Sequence, residues 1–250
     1  MNKTTVTIAL AGLLHDVGKF AERAGMELPN GYADNNAGLY QPFRQEQGRH
    51  THKHALYSAA FIERFSSLLP KLDEQKDAAS GNSLINLAAM HHKPETPLQW
   101  IIAQADRLSS GLDRQVFEGD ESGTAYRDFR KTRLIPLAEE MLRGDAFYRN
   151  DTLSTYHWRY RLTELAPEQV FAASRKEAEP LDDKAATDEY ARLFEQFMKN
   201  LERLANRTEP WLWLEIINVF YARRYMPFQN LMDISGFDLQ ADGDKAQLAL

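Results

Sequence analysis

The chain has 250 residues, with 30 Lys+Arg against 36 Asp+Glu, a net charge of −6, 7 histidines and no cysteine. The missing cysteines exclude a disulfide framework, a zinc finger and a thiol nucleophile, so any metal site must be built from histidine and carboxylate. A hydrophobic share of 43% with 26% charged residues is that of a folded globular chain, and the acidic balance argues against a free-standing, non-specific nucleic-acid binder.

Residues 4–23 are apolar nearly all round (Val6, Ile8, Leu10, Leu13, Leu14, Val17, Phe20) and read as one central helix. Lys3 before this run superficially resembles an export signal. The run ends in His15-Asp16 with no small-residue cleavage site, so the expected location is the cytoplasm. No run approaches the ~18 apolar residues of a membrane span. Residues 24–53 hold Gly25, Pro29, Gly31, Gly38, Pro42 and Gly48 and read as a long loop. Loops of that length are usually functional or mobile.

From 54 to 69, Ala55, Ala59, Phe61, Ile62, Phe65 and Leu69 recur at helical spacing. Residues 83–90 read as a short helix stopped near Lys93-Pro94. Pro97 then opens another, with Trp100, Ile101, Ile102, Ala103 and Ala105 expected inside. Residues 133–143 read as a helix, 151–172 as mixed or extended, and the charged stretch 175–186 as a linker or exposed turn. Tyr190, Leu193, Phe194, Phe197, Leu201 and Leu204 form an amphipathic stripe, and Trp211 to Tyr221 a strongly apolar helix. The tail after Pro227 is polar. The class expected is all-α, with no hairpin and no internal repeat.

The chemistry-bearing residues are His15, Asp16, His54, His91, His92 and Asp106. Helix ends and bundle interiors are where facing side chains build metal sites. Imidazole and carboxylate without thiolate suit Mn, Fe, Ni, Co or Zn. Asp16, a carboxylate beside a histidine, is the best candidate to bridge two cations, and paired cations about 3.5–4 Å apart serve phosphodiester hydrolysis. Each residue also has an ordinary reading. A lone histidine is more often a hydrogen-bonded core residue, and His91-His92 at a helix end could serve as a C-terminal cation. Asp106 is harder to dismiss, because a carboxylate in so apolar a helix is costly unless paired or metal-bound.

Four strings carry a resemblance. Leu13-Leu14-His15-Asp16-Val17-Gly18-Lys19-Phe20 resembles the signature of the HD phosphohydrolase superfamily. With His54 to Ile62, His91-His92-Lys93-Pro94 and Ala105 to Arg114, the set is similar to the N-terminal HD nuclease domain of the large, polymerase-like subunit of type III-A (Csm-type) CRISPR effector complexes. The likeness is strong over about residues 5–115 and weaker through the helical second half to Met232-Asp233-Ile234-Ser235.

The resemblance implies a circularly permuted HD helical bundle, with residues 1–115 as the nuclease core. Residues 116–250 would be a helical extension completing the HD domain and leading toward a polymerase-like Palm region. It implies a metal-dependent nuclease that cuts single-stranded DNA when the assembled, RNA-guided complex binds target RNA. The partners implied are the other effector subunits and, through them, guide and target RNA. His15, Asp16, His54, His91, His92 and Asp106 would hold one or two divalent transition metals (Mn, Ni, Co or Fe), with Asp16 bridging. His15, Asp16 and Lys19 would be catalytic, and Lys19, Lys93, Arg107 and Ser109 would meet the substrate. Lys19 reads either as a phosphate contact or as a surface cation, and Arg107, Ser109 and Ser110 either line the substrate path or cap the helix. His50 and His52 are expected on the surface, and His157 away from the metal.

Two departures qualify the likeness. The family supplies a late histidine in a segment like Asp-Ile-Ser-Leu-Tyr-Asp-His, where this chain reads Asp233-Ile234-Ser235-Gly236-Phe237-Asp238-Leu239. Leu239 cannot ligate, so the site is expected to hold one of its metals weakly or not at all. The Palm region's Gly-Gly-Asp-Asp string does not occur, and the 250 residues read as the front portion of a longer subunit. The competing readings are an HD enzyme acting on a nucleotide or cyclic dinucleotide, and a non-catalytic scaffold with a degraded metal site.

Overall fold

The computed structural model describes residues 3–72, 81–114, 130–136, 157–163 and 171–204, together with 209, 210, 213, 248 and 249. These residues are mainly helical, as the patterning requires, with short two-residue strands between helices. The chain divides into two units: residues 1–109 with 194–218, and residues 110–193 with 219–250. Among the described residues no helix is long and apolar enough to cross a membrane.

The first unit starts with α1 (Lys3–Leu14), which buries Val6, Leu10, Ala11 and Leu14. The expected single helix over 4–23 is instead two. The chain turns at His15-Asp16 and resumes as α2 (Val17–Arg23), with Asp16 at φ −102° and ψ 4° outside the helix. Helix α2 buries nearly its whole circumference and ends at Gly25, whose φ of 78° suits a glycine C-terminus.

Residues 24–53 are not a continuous loop. Helix α3 (Tyr32–Tyr40) packs Tyr40 with Leu56, Ala59, Ala89 and Met90. A small hairpin follows, β1 (Phe43–Arg44) against β2 (Arg49–His50), antiparallel with Phe43 opposite His50. Helix α4 (Lys53–Arg64) packs on α2 and α3 through Ala55, Leu56, Ala59 and Phe61. Helix α5 (Leu84–Ala89) is capped by Ser83, whose hydroxyl accepts the Asn86 N–H at 3.2 Å. It contacts α1 and α4.

Helix α6 (Pro97–Arg114) begins with Pro97 in its first turn, as expected. Thr96 and Gln99 reciprocate there: the Thr96 hydroxyl accepts the Gln99 N–H, and the Gln99 side chain accepts the Thr96 N–H. Ile102 and Ala103 are buried, but Trp100, Ile101 and Ala105 are exposed, which corrects the expectation that all five lie inside.

In the second unit, β3 (Ile135–Pro136) runs parallel to β6 (Leu248–Ala249), and β4 (Trp158–Arg159) antiparallel to β5 (Ala173–Ser174). Residues 135–136 are therefore extended rather than helical. The charged stretch is helical, not a linker: α7 (Arg175–Ala178) is followed by α8 (Asp183–Leu204), whose first turn is capped by Asp182 accepting the Ala185 N–H at 2.7 Å. Buried Arg133 pairs with Glu189, and Arg159 with Glu179 at 3.3 Å. The boundary between units falls within α8 after Leu193. Phe194 and Phe197 then join Phe20 and Phe61 in the first unit's core, with ring centroids 5.0–6.2 Å apart. The remainder of 137–143, the apolar stretch 211–221 apart from buried Trp213, and the segment 233–239 with Leu239 lie outside the described residues.

Candidate metal centre

The turn between α1 and α2 sets the site. Ser58 of α4 bridges it: its hydroxyl donates to the His15 carbonyl at 2.6 Å and accepts the Gly18 N–H at 2.9 Å. Only glycine fits at 18, because a β-carbon there would stand 2.0 Å from the His54 carbonyl oxygen. This close approach of α2 to α4 brings Asp16 and His54 face to face.

All six expected histidines and aspartates meet at this point. Asp16 is buried, and its two oxygens face different groups. Oδ2 lies 2.6 Å from Lys19 Nζ and 3.3 Å from His15 Nε2, while Oδ1 lies 3.5 Å from His54 Nε2 and 3.8 Å from His91 Nε2. Asp106 Oδ1, from α6, lies 3.6 Å from His15 Nε2. Two sets of donor atoms gather within 4.8 Å of one another: His54, His91 and His92 in one, and His15, His91 and Asp106 in the other. His91 belongs to both.

Two histidines have their orientation fixed from behind. His15 Nδ1 is 2.6 Å from the Gly12 carbonyl and His91 Nδ1 is 2.7 Å from the Ala88 carbonyl. A carbonyl only accepts, so each Nδ1 carries the proton and, in the neutral ring, leaves Nε2 as the donor atom facing inward. His54 Nε2 and His92 Nε2 are 2.8 Å apart. Two bare lone pairs repel at that distance, so this pair either shares one proton or turns both nitrogens to a cation.

Charge follows the same layout. Burial pulls the His15 imidazole down, but Asp16 and Asp106 outweigh it and raise it to about 10. Burial opposes the Asp16 charge, yet Lys19 and His15 hold the carboxyl well below the usual range. Burial holds His54 and His92 well below the ordinary histidine value and takes His91 down to about 4. Asp106 is also lowered: burial works against its charge, and the His15 imidazole 3.6 Å away is the largest favourable cause.

The donor set fits a divalent cation on this structure's own terms. His15 Nε2, Asp16 Oδ1 and His91 Nε2 are buried with no hydrogen-bond partner. Unpartnered buried polar atoms are costly, and these three converge. Imidazole and carboxylate together are a borderline-to-hard donor set.

The other expected residues lie around this cage. Lys19 is buried with its ammonium on Asp16 rather than exposed. Lys93, next to His92, donates to the Gly38 carbonyl at 2.7 Å. Arg107 lies over the Trp100 ring at 5.3 Å on exposed helix surface, and Ser109 is exposed on the same helix. The Ser110 side chain lies outside the described ones. His50 is exposed and His157 lies in the second unit. His52 is not a simple surface residue: it is half-buried, with its ring 3.9 Å from that of His92. The polar composition of 41–52 hid this. The signal was its place, two residues before His54 at the start of the same helix. Gly18 and Ser58 were equally unmarked, although both lie inside the quoted strings.

Fold and site together define a helical domain with a buried histidine–carboxylate cage able to hold a divalent cation. Compared with known families, residues 3–111 match the model described as HD domain, consistent with the HD phosphohydrolase superfamily. No curated protein and no solved structure matches the chain.

Proposed function

We propose that this HD domain is a metal-dependent single-stranded DNA nuclease working within a type III-A CRISPR effector subunit. The observation that carries the metal-dependent part is the convergence of His15 Nε2, Asp16 Oδ1 and His91 Nε2 as unpartnered buried donors. The four motif strings, in order, support the narrower assignment. His54 and His92 would hold one cation and His15 and Asp106 a second, with Asp16 between them and the single free nitrogen of His91 serving one of the two. A cation there supplies Lewis-acid charge to a phosphate and lowers the pKa of water. Lys19 anchors Asp16 Oδ2, which leaves Oδ1 turned toward His54 and His91.

Substrate would enter from the α6 side. His15 and Asp106 keep 17% and 25% of their side chains exposed, whereas His91 has 0%. Arg107 and Trp100 on α6 offer a guanidinium for phosphate and a ring for a base, the pairing that single-strand binders use. Lys93 and Ser109 are further polar contacts on this reading. The net charge of −6 fits a substrate delivered by RNA-bearing partner subunits rather than captured alone.

Circular single-stranded DNA with Mn²⁺ or Ni²⁺ tests this. Cleavage by the wild type and its loss in Asp16→Asn is the expected result. Hydrolysis of nucleotides or cyclic dinucleotides with the DNA intact would overturn the nuclease reading. No hydrolysis of any of these with metal bound would favour the scaffold.

A further inference from the structure

We infer that His52 is a positioning residue that holds the His92 side of the cage. This rests on the metal-binding reading above and concerns a residue outside the ligand set.

His15 and His91 are each fixed by an Nδ1–H bond to a carbonyl in the preceding turn. His92 has no such bond among the described residues, and its Nε2 faces His54. Three rings lie against it: His91 at 4.0 Å and His54 at 4.8 Å, both within the ligand set, and from outside that set His52, at 3.9 Å with 38° between the planes. A flat ring on one face limits rotation about the His92 side chain as a carbonyl behind Nδ1 does for the others.

The backbone shows that this contact is held deliberately. Among the described residues His52 is the one non-glycine with positive φ, at 57° with ψ 52°. β-Carbon crowding disfavours that region. Position 52 precedes α4, where a side chain would normally cap the helix, yet His52 makes no capping bond. Its Nδ1 instead meets the Thr51 hydroxyl at 2.9 Å. Thr51 is itself buried and tied down. Its N–H donates to the Pro42 carbonyl at 2.9 Å, and its carbonyl accepts from the Gln41 side chain at 2.9 Å. The base of the hairpin therefore fixes His52, and His52 fixes His92.

The test is cation titration by calorimetry on the whole chain, with Mn²⁺, together with the absorption spectrum of the Co²⁺-loaded protein. His52→Asn removes the ring and suits the left-handed backbone, so the melting temperature should hold. The cation on the His54–His92 side should bind about tenfold more weakly, the usual effect of losing a ligand's supporting contact. The cation on the His15–Asp106 side should be unaffected, and the Co²⁺ bands should shift. His52→Phe restores the ring without the nitrogen that meets Thr51 and should recover part of the lost affinity. Unchanged binding in His52→Asn, or a His52→Phe no better than Asn, would overturn the inference and leave the cage reading standing. A wild type that takes up no cation would overturn both.

Discussion

In the absence of a cation, a proton stands in for it. His15, raised to about 10, is protonated through the neutral range and lies between the carboxylates of Asp16 and Asp106. His54, His91 and His92 stay neutral across it. The signs oppose. The raised His15 stabilises the fold fully below its ordinary value of 6.5, and that stability is lost as pH rises toward about 10. The three lowered histidines leave stability intact above 6.5, and it is lost as pH falls toward about 4, the value for His91. The lowered Asp16 keeps its contribution until still more acid conditions. Metal-free protein should therefore melt highest near pH 6.5 and lower on either side. Added Mn²⁺ displaces the His15 proton, so its stabilising effect should grow with pH. Melting curves across about pH 5 to 9, with chelator and with Mn²⁺, check both parts. A metal-free profile that rises steadily over that range would contradict the protonated His15.

The site depends on how closely two helices approach, and a single missing β-carbon sets that distance. In Gly18→Ala the new methyl would lie 2.0 Å from the His54 carbonyl and 2.4 Å from the Ser58 nitrogen, both of them backbone atoms. Helices α2 and α4 must separate. The expected cost is about 1–3 kcal/mol or more, as for overpacked cores, with Asp16 moved away from His54. Urea unfolding and Mn²⁺ titration should show both losses together. A stable variant with full metal affinity would show that the approach is not needed. These elements also mark how much the sequence disclosed. The helices that bury an apolar face, α4, α5, α6 and α8, follow from side-chain periodicity. The break at His15-Asp16 does not, because the apolar pattern runs through it while Asp16 is buried and partnered by Lys19. Two-residue strands are too short to leave a period, so the hairpin Phe43–Arg44 with Arg49–His50 was invisible. Other signals were present and outweighed: Pro136 biases Ile135 to extended backbone, and Asp182 is an N-cap ahead of a charged but amphipathic helix. Histidine and aspartate spacing marked the six residues that meet. Nothing in it marks His52, whose role depends on a backbone turn and a ring contact.

At the scale of the molecule, the segment that matches the HD model is not by itself a closed core. Residues 3–111 supply Phe20 and Phe61, both fully buried, but part of what buries them arrives some 80 residues later in the chain. Phe194 stands edge-on to Phe20 at 5.0 Å, and Phe197 lies 5.7 Å from Phe20 and 6.2 Å from Phe61. Leu201 and Trp213 are buried in the same unit. Fully burying a large apolar side chain contributes roughly 1.5–3 kcal/mol, so α8 contributes several such terms to the unit that carries the cage. Residues 1–115 expressed alone should therefore expose Phe20 and Phe61 and precipitate or bind a hydrophobic dye, whereas the whole chain should not. Phe197→Ala tests the point without truncation. It should cost about 3–5 kcal/mol, the usual range for a buried phenylalanine, read as a lower urea midpoint with little change in slope. Because Phe20 follows Lys19 directly on α2, the same variant should also loosen Asp16 and weaken Mn²⁺ binding, although residue 197 lies on a helix that carries none of the six ligands. A 1–115 fragment that melts cooperatively and binds Mn²⁺ as the full chain does would show that the late helix only covers a core that is already complete.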